Sequence, residues 1–66
     1  MAIHLNIGDA HEIDGKKFTV QEWSELKDGD YFYHPFMGFI DKYSTSIDYG
    51  GFDPNSLQCW KLVPMP

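Results

Sequence analysis

The chain has 66 residues, ten acids against five lysines, no arginine and a formal charge of −5. A chain this short buries proportionally little surface, and its one cysteine, Cys59, excludes an internal disulfide. Phosphate neutralisation and base reading both draw on basic side chains, so this charge balance argues against nucleic acid and for a basic partner or plain solubility.

In chain order, residues 1–7 alternate Ile3, Leu5 and Ile7 with His4 and Asn6, the period of a half-buried strand. Asp14-Gly15, between Ile13 and Phe18, is a two-residue hairpin signal and predicts strands over 10–14 and 16–21. Thr19-Val20-Gln21-Glu22 has the form of a capping box, and Val20, Trp23 and Leu26 are spaced by three, which predicts a short helical turn over 22–26. Lys27-Asp28-Gly29-Asp30 stops any longer helix. Tyr31-Phe32-Tyr33 reads as a strand with Phe32 facing away from its two neighbours, one set buried and the other exposed. Pro35 and Gly38 punctuate the chain before a strand over 39–43. Residues 46–49 either pair back on that strand or continue it. Gly50-Gly51 and Asp53-Pro54-Asn55-Ser56 are turns. Residues 57–63 form the last strand, and Pro64-Met65-Pro66 is a tail.

Short strands with turns every 8–12 residues predict an all-β fold as one domain over 1–66. The expected form is a small five- to six-stranded antiparallel barrel, or a compact sheet or sandwich with one short helical turn, since closure removes exposed edges. Aromatics are 17% of the chain, and each can bury roughly 150–250 Å². The expected core is Ile3, Leu5, Ile7, Ile13, Phe18, Val20, Trp23, Leu26, Phe32, Ile40, Leu57, Trp60 and Leu62.

That core leaves Tyr31, Tyr33, Phe36, Phe39, Tyr43, Tyr49 and Phe52 without assigned places. Phe36 stands in His34-Pro35-Phe36-Met37-Gly38, a turn, where a phenyl ring is hard to hide. The partner-binding candidates are therefore Tyr33, Phe36, Met37 and Tyr43 as apolar anchors, because interface hot spots favour aromatics and Met. Asp28, Asp30, Asp41 and Asp48 are expected to add electrostatic complementarity.

Catalysis and metal binding have weaker sequence support. His4, His11 and His34 lack metal-ligand spacing. Cys59 lies between Gln58 and Trp60 in a predicted strand, the setting of a buried structural cysteine. Asp28 and Asp30 lack the further oxygen ligands of a calcium loop, and Gly50-Gly51 is followed by no phosphate-loop lysine. No catalytic residue, metal or cofactor is expected. No apolar run approaches the roughly 20 residues that span a bilayer, and residues 1–10 lack the basic and apolar regions of a signal peptide. With a lone cysteine, this points to the cytoplasm.

The pattern Trp23-x-x-Leu26-x-x-Gly29-Asp30-x-Phe32, then Asp41-Lys42-Tyr43-Ser44 and Trp60-Lys61-Leu62-Val63, resembles small proteins carried by bacteriophages and prophages. The segment His34-Pro35-Phe36-Met37-Gly38 departs from the short gap usual there. The resemblance implies a small β-barrel of the Src-homology-three type and an accessory protein that binds a host or defence protein with a basic surface. Such a protein could block a nucleic-acid groove in the manner of CRISPR inhibitors. Two alternatives stay open: an assembly protein that forms a homo-oligomer, and a single-stranded nucleic-acid-binding barrel that stacks bases on its aromatics.

Overall fold

The computed structural model describes residues 3–56 and 58–66. Among these residues five strands are present: β1 (Ala10–Ile13), β2 (Lys16–Gln21), β3 (Tyr31–His34), β4 (Phe39–Lys42) and β5 (Trp60–Pro64). All pair antiparallel in one sheet of order β1-β2-β5-β3-β4. The sheet curls into a half-barrel that stays open, with β1 and β4 as its edges. The all-β expectation holds, and the described residues contain no helix.

The β1–β2 hairpin forms where Asp14-Gly15 places it. Both residues have positive φ, 51° and 81°, the backbone that matches a two-residue turn to the twist of its strands. β5 runs one residue further than expected, to Pro64. Its missing N–H costs β2 nothing. Lys17, not Phe18, turns its carbonyl toward this end of β5 and accepts from Met65 N at 2.9 Å.

The two faces of the sheet carry two apolar clusters. On one, Phe18, Val20, Tyr33 and Leu62 are buried, with Ile3, Leu5, Ile13, Tyr31, Ile40 and Trp60 packed around them. On the other, Leu26, Phe32 and Cys59 are buried under Phe39, Tyr43, Tyr49 and Phe52. β3 feeds both clusters, so Phe32 and Tyr33 are each buried, at 0% and 1% exposure. The expectation that one set of β3 residues faces solvent is corrected: the long segment after β4 covers the second face.

Four further expectations change. Residues 3–7 form no strand, because their bonds go to scattered partners. Ile3 N donates to Gly38 O at 2.8 Å, Leu5 N to the Tyr33 hydroxyl at 3.1 Å, and Gly8 N to Val20 O at 2.8 Å. Ile7 is left 48% exposed, outside the core. No helical turn forms over 22–26, because the Leu26 N–H is used elsewhere, donating to Asn55 Oδ1 at 2.7 Å. Leu26 is buried while Trp23 is not. Residues 46–49 make no strand; the Tyr49 hydroxyl instead donates to Lys42 O at 2.8 Å and accepts from Ser44 N at 2.7 Å. The last strand starts at Trp60, and Leu57 lies outside the described residues.

Candidate binding surface

The β3–β4 turn, residues 35–38, is built on His34. This residue is buried at 6% exposure, stacked on Phe39 with centroids 5.7 Å apart and set edge-on to Phe52 at 4.9 Å. Its carbonyl accepts from Gly38 N at 2.7 Å, and its Nδ1 accepts from Met37 N at 3.0 Å. Gly38 completes the turn at φ 73°, a backbone that glycine adopts without strain. The turn is thus clamped at its base, while its tip projects: Phe36 is 85% exposed and Met37 66%.

Of the other anchor candidates, Tyr33 is corrected. Its ring fills the first cluster, and its hydroxyl donates to Ile3 O at 2.7 Å and accepts from Leu5 N. Tyr33 therefore ties residues 3–5 to the sheet and offers nothing to a partner. Tyr43 is half-buried in the second cluster, stacked on Tyr49 with centroids 6.2 Å apart, and its hydroxyl accepts from Asn55 Nδ2 at 3.3 Å.

The acids hold loops as well as charge. Asp28 accepts from Thr45 N at 2.8 Å, Asp30 from Lys27 N at 2.9 Å, and Asp48 from Gly50 N at 3.1 Å. Asp30 also lies 3.4 Å from Lys61 Nζ; at that exposure the pair contributes little. Asp41 accepts from its neighbour, Lys42 N, at 2.8 Å. Asp28 and Asp30 lie at the end of the β3–β4 hairpin away from Phe36, while Asp41 lies along β4 and Asp48 in the loop after it. Four residues of β4 separate tip from acids, roughly 14 Å of strand.

One feature has no sequence counterpart. An open cleft of about 470 Å³ lies between the two edge strands, lined by Ile13, Glu12 and His11 from β1 and by Ile40, Asp41 and Lys42 from β4. Ile3 and Tyr31 form part of its wall, and Gly38 connects it to the turn bearing Phe36. Alternation places Ile13 and Ile40 inward, but no local pattern tells that β1 and β4 face each other. His34 and Asn55 were also missed as positioning residues; their partners lie 3 and 29 residues away.

Among the described residues no three His, Cys, Asp or Glu side chains gather to hold a metal ion. Cys59 is 1% exposed, and its thiol is pushed up to about 11, first by burial and then by the nearby Asp53 carboxylate. Among the described residues no helix is long and apolar enough to cross a membrane. No family model, curated protein or solved structure matches the chain.

Proposed function

We propose that this chain is a non-catalytic binding module that docks on a host or defence protein with a basic surface, using Phe36 and Met37 as anchors. The observation that carries the reading is the combination of an exposed tip and a rigid base. An 85% exposed phenylalanine on a turn clamped by a buried histidine has few conformations to lose on binding, and pre-organised aromatic anchors are what interface hot spots use. The charge of −5 selects the sign of the partner. A standard interface takes about 800 Å² from each side, about a sixth of the 4595 Å² surface. Such a patch is wide enough to span the tip and the acids of residues 28 and 30. Where the basic surface is a nucleic-acid groove, occupancy by this chain inhibits the partner in the manner expected of a phage accessory protein.

The test is capture from host lysate with tagged protein, beside the Phe36→Ala/Met37→Ala variant. The expected result is one enriched protein, bound at least about 30-fold more weakly by the variant, which corresponds to a hot-spot loss of about 2 kcal/mol. The thermal midpoint of the free variant should be unchanged, because both side chains face water. Equal capture by both proteins overturns the reading. A homo-oligomer that buries Phe36 in wild-type protein, and is lost in the variant, would favour the assembly role instead.

A further inference from the structure

We infer that the cleft between β1 and β4 accepts an extended basic segment of the partner as a sixth strand, an inference that rests on the protein-binding reading above and names what the partner inserts.

Strand direction carries the first part of the argument. Every neighbouring pair in the order β1-β2-β5-β3-β4 is antiparallel, so β1 and β4 run the same way. They cannot close on each other in an antiparallel ladder. One strand placed between them, antiparallel to both, closes the barrel with antiparallel pairing throughout.

The backbone supplies matching groups. Residues along an antiparallel strand alternate between facing one neighbour and facing the other. Val20 N donates to Asp9 O at 2.9 Å, which sets Asp9 and His11 toward β2 and leaves Ala10 and Glu12 facing the cleft side. Tyr43 N donates to Asp30 O, which sets Tyr43 and Asp41 toward β3 and leaves Lys42 and Ile40 facing out. Lys42 is already capped: its N–H donates to Asp41 Oδ1 and its carbonyl accepts from Tyr49. At the other end, Gly38 O is taken by Ile3 N. Among the described residues nothing bonds the outward amides of Ala10, Glu12 or Ile40. The open edge is thus a short window, bounded on β4 by Ile3 and Tyr49, in which a few residues of an extended chain can pair on both sides.

The side chains define what enters. The cleft wall at Ile3, Ile13, Tyr31 and Ile40 takes alternate apolar side chains. The other alternate set emerges beside Glu12 of β1 and Asp41 of β4, on the face opposite Ile13 and Ile40, while the one cation of the edge strands, Lys42, alternates with Asp41 and leans on the Tyr31 ring at 6.0 Å; Lys16 and Lys17 stand one strand further in, on β2. The acids that both edges place on that face, Glu12 and Asp41, favour Lys or Arg on the incoming strand. They also disfavour a second copy of this chain, which would bring its own acids.

The experiment titrates isotope-labelled full-length protein with a blocked hexapeptide of alternating lysine and valine, followed by amide exchange. Two further peptides carry N-methyl groups on alternate amides, one on each edge of the strand, and a glutamate–valine peptide reverses the charge. The expected result is exchange slowed about tenfold or more at Ala10, Glu12 and Ile40 together, with loss of binding for both methylated peptides and for the acidic one. Protection at neither edge at millimolar peptide, protection at one edge alone, or equal binding of the methylated peptides overturns the inserted strand. So does self-association through β4 in the absence of peptide. A partner captured through Phe36 while the edges stay unprotected would keep the binding module and reject the strand, so the two failures are distinguishable.

Discussion

Individual side chains settle which polar groups can be reached. Cys59 shows this most simply. Burial in the second cluster, assisted by Asp53, raises its thiol from 9.0 to about 11. Native protein is therefore expected to react slowly with thiol reagents at pH 8–9, where the urea-unfolded chain reacts fast. The sign for stability follows. Because the folded value lies above the unfolded one, this contribution is full below pH 9 and is lost as pH rises toward 11. Comparing urea midpoints of wild-type and Cys59→Ala protein across that range isolates it, and parallel pH slopes for the two would contradict it. Tyr33 and Asn55 belong to the same scale. Each has one polar end that reaches two partners, Ile3 and Leu5 for the hydroxyl, Leu26 and Tyr43 for the amide. A tyrosine flanked by aromatics reads as a surface anchor in sequence. Nothing in its neighbourhood announces that residues 3–5, some thirty positions earlier, will come to its hydroxyl.

At the scale of elements, legibility depended on where the determinants lie. The β1–β2 hairpin, β3 and β4 were readable because their signals are local: Asp14-Gly15, the Pro35–Gly38 punctuation and short aromatic runs. The helical turn over 22–26 was misread because the Leu26 amide bonds Asn55 instead of its own segment. The strand over 1–7 was misread because alternation reports a buried face and is silent on whether a ladder exists to pair with. For the same reason the cleft and the His34 clamp are not legible in the sequence, although Phe36 and Met37 are marked as anchors by their place on a turn. The local signals carry a direct expectation. Gly15 has φ 81° and open space where a Cβ would stand. Gly15→Ala should therefore cost only the backbone term, about 1–2 kcal/mol, with no clash added. The urea midpoint should fall accordingly while the strand pairing seen by NMR is retained; an unchanged midpoint would mean that this turn does not need the left-handed backbone.

For the whole molecule, the balance of charge governs encounter more than residence. With −5 spread over a body of 30 × 23 × 20 Å, association with a basic partner is expected to slow with added salt, by about tenfold or more between low and high ionic strength. Dissociation, set by Phe36 and Met37, should change little. Stopped-flow or surface-based kinetics at several salt concentrations separate the two. A salt effect confined to dissociation would place the acids inside the buried contact rather than at its rim.

The strand order has a consequence for how the chain comes to be folded. The β1–β2 hairpin and the β3–β4 hairpin touch in the sheet only through β5, which lies between them and begins at residue 60. Until residue 60 is made, the chain can form only two hairpins that share no strand, and an isolated hairpin is marginal in water. The sheet can be assembled only after its central strand has emerged, through contacts distant in sequence and therefore slow to form. Until then the aromatics of both clusters stand open to other chains. The interval between synthesis of β4 and docking of β5 is where this molecule is most exposed to aggregation and proteolysis.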